Sequence, residues 1–412
     1  MGLALYDGFA RKWDHRYHRG DDFLLLAPHV RTDKLLGWFR YLDAVTDDAR
    51  LVLRVIREAV RAGATALNYA AVEGLISGPA ERVNGVFLRD EVSGRTAEVR
   101  AKAVINATGD WADQLRQQVG GEARVRPSRG SHLIFPAWRL PVAQAITLVH
   151  PQNRRPVFVL PWEGTTVAGT TDLDHRQFLD EEPQISREEV DYILMALQAQ
   201  FPALRLRPED ALSSFAGLRP IVGSGKGDPS KESRAHVVLE EKGLLSVVGG
   251  KLTTFRRMAL DALGALRSLL PGLPTLSSDP LVLDPPPRSP DLPQTMALQP
   301  QQRRRLLGRY AADCPALLDA AQPGELLPIE ETPALWGELR WATREEGVVH
   351  LDDLLLRRVR IGLLLPQGAL HIMDGIRTVV QPELGWDDAR WKAEVAAYQT
   401  LWAKAYSVPT AL

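Results

Sequence analysis

A proline-rich stretch at residues 271–300 constrains the fold of this chain more than any other feature. It contains nine prolines in thirty residues, and proline removes a backbone donor and clashes with the preceding helical turn. Neither a helix nor a central strand can run through such a stretch, so we expect an extended linker. Strand and helix patterns alternate before it, whereas the pattern after it is helical. The chain is therefore predicted to form an α/β body followed by a small helical domain.

Bulk properties exclude several functional classes. The 412 residues carry 50 lysines and arginines against 51 acids, a net charge of -1, so no general field would attract a nucleic-acid backbone. We expect no nucleic-acid partner. The single cysteine, Cys314, cannot form an internal disulfide or a thiolate cluster, and no clustered Cys and His spacing predicts a metal site. No apolar run is long enough to span a bilayer.

Local patterns predict the elements of the body. Thr46 is interpreted as an N-cap with acids in the next two positions, and apolar residues then repeat at helical spacing until Gly63. Short β-rich runs follow and end in an almost wholly apolar, buried strand before Asn106. Strand patterns over residues 124–172 indicate a second, sheet-based unit. Ser186 begins the next helix with a capping box.

Two glycine-containing strand ends are candidates for binding a flat ring. In VINATGDWAD, residues 104–113, Gly109 follows a strand, and ligands of open α/β sheets bind at such ends. In LLSVVGGKLTTF, residues 244–255, a strand runs through two glycines and Lys251 into a helix. A helix N-terminus with a lysine beside it favours a negative partner, such as a reduced flavin ring.

Two further motifs are candidates for substrate contacts. FAGLRPIVGSGKGDPSKESRAH, residues 215–236, carries Arg219 and Arg234, and a phosphate dianion is best held by more than one cation. Its GSGKGD run lacks the spacing of a nucleotide-binding loop. PSRGSHLIFP, residues 127–136, offers His132, which titrates near neutrality and can take the hydroxyl proton of an alcohol.

In their joint order these motifs resemble the FAD-dependent glycerol-3-phosphate dehydrogenase family. The matching stretches are TDDARLV, INATGDWAD, SRGSHLIFP, FVLPWEGTTVAGTTD, FAGLRPIV, SRAHVV and VVGGKLTTFRRMA. They cover most of residues 1–268, and the tail with LDDLLLRRVRIGLL is similar to the C-terminal domain of the family. Each motif alone is weak evidence, whereas their combination is specific.

The resemblance implies a reaction and a set of site residues. The family oxidises sn-glycerol 3-phosphate to dihydroxyacetone phosphate with FAD, and passes the electrons to a membrane quinone, or to oxygen in its oxidase branch. Arg219 and Arg234 are then expected to bind the substrate phosphate, and His132 and Lys251 to lie at the reacting carbon and the flavin. The other expected flavin contacts are Gly109, Trp111, Gly249, Gly250, Leu252, Thr253 and Thr254. A cytoplasmic protein with peripheral contact to the inner face of the membrane is expected.

The implied fold is an α/β FAD-binding fold of the two-dinucleotide-binding type, with a mixed-sheet substrate domain and an α-helical C-terminal domain. The expected units are a remnant of the substrate or cap region at 1–40, FAD-domain parts at 41–123 and 205–270, the substrate domain at 124–204, the linker at 271–300 and the helical domain at 301–412. The family also begins with a strand, a GxGxxG loop and a helix for the FAD pyrophosphate, and MGLALYDGFARKW resembles the sequence after that unit. We therefore expect an N-terminally incomplete fold that binds FAD poorly and turns over negligibly in isolation.

Two other functions stay open at this point. A non-catalytic remnant could bind a phosphorylated metabolite without flavin, and its purified protein would be folded and colourless. Another FAD-dependent oxidoreductase acting on 2-hydroxy acids or amines would need a carboxylate-binding site instead of a phosphate clamp.

Overall fold

Fourteen strands and twelve α-helices are seen within the described residues of the structure, a computed structural model. The described residues are 2–19, 22–33, 35–223, 235–274, 282–288, 292, 295 and 298–409. The strands are β1 (Arg16–His18), β2 (Trp38–Arg40), β3 (Ala70–Ser77), β4 (Val83–Asp90), β5 (Thr96–Arg100), β6 (Val104–Asn106), β7 (Val125–Pro136), β8 (Ile146–Val149), β9 (Pro156–Trp162), β10 (Thr165–Gly169), β11 (Leu173–Asp174), β12 (Ser213–Val222), β13 (Val237–Glu241) and β14 (Leu244–Val248). The helices are α1 (Gly2–Ala10), α2 (Phe23–Leu26), α3 (Asp48–Arg61), α4 (Ala112–Gln118), α5 (Arg187–Gln200), α6 (Phe255–Leu266), α7 (Pro300–Tyr310), α8 (Cys314–Ala320), α9 (Trp336–Glu345), α10 (Ile361–Leu364), α11 (Met373–Leu384) and α12 (Asp388–Ala405).

Helix caps follow from the local sequence, with one correction. The side chain of Asp47 accepts a hydrogen bond from the backbone N–H of Arg50 at 3.1 Å, so Asp47 caps α3 and the expectation that Thr46 does so is wrong. Only Asp48 remains in the first turn. The predicted capping box of α5 is confirmed, because Ser186 and Glu189 exchange side-chain to backbone hydrogen bonds.

The largest sheet in the described residues contains six strands, in which β7 pairs with β10, β11 and β12. Strands β9 and β8 extend the sheet beyond β10. Every one of these pairings is antiparallel, and α5 packs on the sheet. Strands β7 to β10 of this sheet confirm the strand patterns predicted over residues 124–172, whereas β12 comes from 205–270, which was expected to belong to the FAD domain. The long strands β7 and β12 carry His132 and Arg219.

A smaller sheet joins β13, β14 and β6, and its β14–β6 pair is parallel. A separate antiparallel sheet contains β3, β4 and β5. The run before Asn106 splits into β5 and β6, and Ile105 in β6 is 41% exposed, so the expectation of a buried strand is wrong there. The parallel pairing has a functional consequence, because the carboxyl ends of parallel strands meet at one edge of a sheet.

The C-terminal helices share a hydrophobic core with the large sheet. Leu339, Leu354 and Ile376 belong to the same buried cluster as Ile134 of β7 and Val167 of β10. The predicted helical pattern after residue 300 is confirmed, with a π-helical turn at Asp353–Arg358. Residues 271–274 and 282–288 contain neither helix nor strand, and Thr295 lies in a 3₁₀ turn before α7. The division into domains at this segment stays a prediction. In the described part of the chain, no helix has the length and hydrophobicity of a membrane span.

Candidate active site

One face of the paired strands β7 and β12 carries the predicted substrate residues. The register places His132 opposite Phe215, Gly130 opposite Gly217 and Ser128 opposite Arg219. Directly opposed residues of an antiparallel pair project to the same face, as do residues two apart along a strand. His132 and Arg219 therefore lie on one face, at different distances along it.

His132 is held between aromatic and glycine neighbours. Its imidazole stacks on Phe215 with ring centroids 4.6 Å apart and planes inclined by 11°. Gly169 lies opposite His132 on β10, and a Cβ built there would overlap the imidazole. The Nδ1 atom is buried without a hydrogen-bond partner among the described residues. Burial, and secondarily the charge of Arg219, lower the pKa of His132 to about 4. The imidazole is therefore neutral near pH 7 and able to accept a proton.

Arg219 is oriented by β7 and by the segment that connects β10 to β11. Its Nη2 donates to Thr170 Oγ1 at 3.1 Å, and its Nη1 lies 3.8 Å from Asp172 Oδ1. The guanidinium passes over Gly130, where a Cβ would overlap it. Asp172 is itself buried and accepts hydrogen bonds from Ser128 and from Arg155, the latter at 2.7 Å. The predicted second phosphate ligand, Arg234, lies outside the described residues.

Parallel pairing of β6 and β14 brings the two glycine loops to the same sheet edge. Asn106 pairs with Ser246, and its Nδ2 donates to Ser246 Oγ at 3.2 Å and to the carbonyl oxygen of Ala112 at 2.9 Å. The first loop continues into a 3₁₀ turn at Gly109–Trp111, and the second passes through Gly249 to α6. The flavin contacts predicted from two distant motifs therefore come from neighbouring strand ends.

The first loop leaves room for a flat ring. Gly109 has φ +62°, which favours glycine, and no atom of the described chain lies within 4 Å of a Cβ built there. Trp111 is 38% exposed and its indole N–H donates to Asp180 Oδ1 at 2.9 Å. The 3₁₀ turn also contacts β7 and β12. This loop, the predicted ring-site loop, thus lies against the strands that carry the predicted substrate residues His132 and Arg219.

The second loop is exposed and positively charged. Gly249 and Gly250 have φ +80° and +91°, and a Cβ at Gly250 would overlap the side chain of Met258. Lys251, Leu252, Thr253 and Thr254 are all exposed, and the N–H of Lys251 donates to Thr254 Oγ1 at 3.2 Å. A 3₁₀ turn then leads into α6. An exposed lysine before a helix suits an anionic or electron-rich ring.

A cavity of about 550 Å³ joins parts of these sites. His132, Phe215 and Leu252 line it, together with Trp162 and the first residues of α3. Leu252 is the one predicted flavin contact that lines this cavity among the described residues. Arg219 does not line it and lies further along the β12 face. The structure therefore brings His132 and Leu252 together, and places Arg219 on the same strands.

The C-terminal helices close one end of this cavity, which the motifs did not predict. Arg360 lies with its guanidinium 4.8 Å from the ring centroid of Trp162, and its Nη2 is 2.5 Å from Asp47 Oδ2. The backbone N–H of Ser214 on β12 donates to the carbonyl oxygen of Tyr406 at 2.8 Å. No local signal marks such contacts, because the partners are far apart in the sequence.

Asp110 is a second residue that the motif reading missed. It lies between Gly109 and Trp111, is 8% exposed, and its Oδ1 has no hydrogen-bond partner among the described residues. Burial raises the pKa of Asp110 to about 6. Its position between Gly109 and Trp111 is the only sequence signal that could have indicated a buried carboxyl here.

The first glycine loop lies against the strands that carry His132 and Arg219. A family model described as FAD dependent oxidoreductase matches residues 4–256, so the chain is a flavin-dependent oxidoreductase. A second model, described as the C-terminal domain of alpha-glycerophosphate oxidase, matches residues 286–391. The chain belongs to the FAD-dependent glycerol-3-phosphate dehydrogenase family.

Individual relatives support this assignment. Glycerol-3-phosphate dehydrogenase 2 of Mycobacterium bovis is 34% identical over 414 residues, which span 96% of this chain and 70% of the relative. The aerobic glycerol-3-phosphate dehydrogenase of Bacillus subtilis is 36% identical over 276 residues, which span 66% of this chain and 49% of the relative. The solved structure of the glycerol-3-phosphate dehydrogenase of Bacillus halodurans complexed with FAD has a TM-score of 0.77 and 28% identity, over 94% of this chain and 79% of that one.

Proposed function

We propose that this chain oxidises sn-glycerol 3-phosphate to dihydroxyacetone phosphate with FAD as the hydride acceptor, and that the electrons pass on to a membrane quinone. The observation that carries the proposal is the shared face of β7 and β12, which carries Arg219 and His132 on strands that contact the ring-site loop. Relatives named glycerol-3-phosphate dehydrogenase support the choice of substrate.

FAD, when bound, supplies the acceptor for the hydride that leaves C2 of the substrate. The open space at Gly109 fits a flat ring. The loop from Gly249 to Thr254 would line the same ring, with Leu252 reaching the cavity at His132. The positive charge of Lys251 beside this loop would favour electron density on the ring.

Side chains of the protein would bind the phosphate at one end of the substrate and accept the hydroxyl proton at the other. Arg219, already oriented by Thr170 and Asp172, would hold the phosphate, with Arg234 as the proposed second ligand. His132 would accept the C2 hydroxyl proton as the C–H bond breaks, because its lowered pKa keeps the imidazole neutral. The alcohol would thus lose a hydride and a proton together and become a ketone.

The decisive experiment is oxidation of glycerol 3-phosphate by the purified chain supplied with FAD, followed with an electron-accepting dye. Formation of dihydroxyacetone phosphate in step with dye reduction would support the proposal. A yellow protein that oxidises no glycerol 3-phosphate would refute the substrate. Flavin stoichiometry in the same preparation also tests the prediction that the isolated chain binds FAD poorly.

The electron acceptor would be reached at a membrane surface. Leu5 and Phe9 of α1 are 61% and 89% exposed, Trp13 is 73% exposed, and Arg11 and Lys12 lie between them in sequence. Exposed apolar and aromatic side chains beside cations favour the interface of an anionic bilayer. Peripheral attachment there would give the chain access to a quinone dissolved in the membrane.

Membrane contact and acceptor are tested separately. Sedimentation with vesicles containing anionic phospholipid should fall for Phe9→Ser combined with Trp13→Ser, and should be unchanged for Trp138→Ser, which removes another exposed tryptophan (78%) elsewhere. Reduction of a short-chain quinone without hydrogen peroxide formation would support the quinone. Stoichiometric hydrogen peroxide would instead assign oxygen as the acceptor.

A further inference from the structure

Two glycines near the proposed substrate face, Gly130 and Gly169, leave space that side chains of this protein occupy. A Cβ at Gly130 would overlap the guanidinium of Arg219, and a Cβ at Gly169 would overlap the imidazole of His132. These two glycines therefore allow the proposed phosphate ligand and proton acceptor to lie flat on the sheet. Packing within the chain explains both of them.

Gly217 has no such explanation. It lies in the middle of β12, is exposed, and is not among the glycines with positive φ, so its backbone conformation requires no glycine. No atom of the described residues lies within 4 Å of a Cβ built at Gly217. Glycine weakens a strand, because it packs against nothing and loses more backbone freedom on folding than other residues. A glycine inside a strand often marks the close approach of a ligand.

The position of Gly217 indicates which ligand atoms approach. It is two residues from Phe215, on which His132 stacks, and two residues from Arg219, so all three residues project to one face. Along a strand, each two-residue step covers roughly 7 Å. The guanidinium of Arg219 passes over Gly130, directly opposite Gly217, and His132 lies one such step further along β7. The space above Gly217 therefore borders both the proposed phosphate ligand and the proposed proton acceptor, on strands that the ring-site turn contacts.

We propose that Gly217 is a specificity-determining residue, whose missing side chain leaves the space that the three-carbon chain of the substrate occupies between Arg219 and His132. This inference rests on the proposed function, which defines the two ends of the substrate. A side chain at Gly217 would compete with the carbon chain of the ligand and not with any described part of the protein. Gly130 and Gly169 differ, since side chains there would displace Arg219 or His132.

The test is a size series, Gly217→Ala, Gly217→Val and Gly217→Leu. The thermal midpoint should be unchanged or higher, because the strand gains a residue of better β propensity without a clash. The KM for glycerol 3-phosphate should rise with side-chain size, by at least about tenfold for valine, the scale of discrimination for small apolar groups in a pocket. Inhibition by inorganic phosphate should stay the same, because Arg219 is untouched.

Gly264→Leu is the matched control. Gly264 lies in α6, and a Cβ built there also has no described atom within 4 Å, but it is not on the β7 and β12 face. Its KM should equal that of the unchanged protein. A fall of the thermal midpoint across the Gly217 series, or an unchanged KM for Gly217→Leu, would overturn the proposal.

A binding measurement separates this proposal from the proposed function. Dihydroxyacetone phosphate should raise the thermal midpoint of the unchanged protein and should lose that effect progressively along the Gly217 series. Turnover is not needed for this measurement, so absence of glycerol 3-phosphate oxidation by protein that has bound FAD would refute the proposed function alone. Equal stabilisation of the unchanged protein and Gly217→Leu would refute the role of Gly217.

Discussion

Replacing Arg219 by methionine tests the phosphate end of the site most directly. The guanidinium is already held by Thr170 and Asp172 above Gly130, so little side-chain freedom remains to be lost when a phosphate binds. A hydrogen bond to a charged group contributes about 1.5–3 kcal/mol. Since 1.4 kcal/mol corresponds to a factor of ten, Arg219→Met should raise the KM for glycerol 3-phosphate roughly 10- to 150-fold.

Arg155→Met is a matched control for this substitution. Arg155 also pairs with Asp172, at 2.7 Å, so both variants remove one cation from the same buried carboxylate. Arg155 lines a different cavity, with Asn153 and Tyr192. Its loss should leave the KM for glycerol 3-phosphate near the value of the unchanged protein, even if the thermal midpoint falls.

Dye-coupled oxidation of glycerol 3-phosphate and of glycerol distinguishes phosphate binding from general damage. Glycerol lacks the phosphate, so Arg219→Met should lower the preference for the phosphorylated substrate while leaving slow glycerol oxidation intact. Equal losses for both substrates would refute the assignment of Arg219 to the phosphate, as would an unchanged KM for glycerol 3-phosphate.

Three further substitutions probe the proton acceptor, a buried acid and the buried ion network. His132→Gln should lower kcat roughly 100- to 10,000-fold. Because the pKa of His132 is about 4, kcat of the unchanged protein at saturating substrate should stay flat around pH 6.5, and a fall of kcat centred near the ordinary histidine pKa of about 6.5 would contradict this. We follow kcat because the second pKa of a phosphate, about 6, acts on kcat/KM through the free substrate. Burial raises the pKa of Asp110 from 3.8 to about 6, so this acid opposes folding increasingly as the pH rises through that range. Asp110→Asn should thus raise the free energy of unfolding, measured with urea, by up to about 3 kcal/mol at pH 8 and by little at pH 4. Equal increases at both pH values would show that burial of the Asp110 charge is not the cause. Glu338→Leu should lower the free energy of unfolding by about 3–5 kcal/mol, because it leaves the buried Arg305, 2.6 Å from Glu338 Oε1, without that partner. A decrease below about 1 kcal/mol, typical of an exposed ion pair, would contradict a stabilising role for this buried pair.

Local chemistry made much of the fold predictable. The α5 capping box, the strand β14 before the two glycines and the helical pattern after residue 300 depend on neighbours within a few positions, and all three are confirmed. The cap of α3 was misplaced by one residue because three polar side chains in a row compete for one position. Ile105 was misjudged because an apolar pattern cannot show which face of a short strand is covered.

Motif spacing and helix and strand periodicity are local properties, so the order of the elements, the family and the candidate residues could be predicted from the sequence. Which of those residues meet could not be predicted, because it depends on how distant segments pack. The parallel pairing of β6 with β14 brings two loops about 140 positions apart to one sheet edge. Burial then gives His132 and Asp110 pKa values that no motif encodes, since a pKa depends on surrounding solvent and charge. The contacts of Arg360 with Trp162 and Asp47 likewise arise only when distant segments pack against one another.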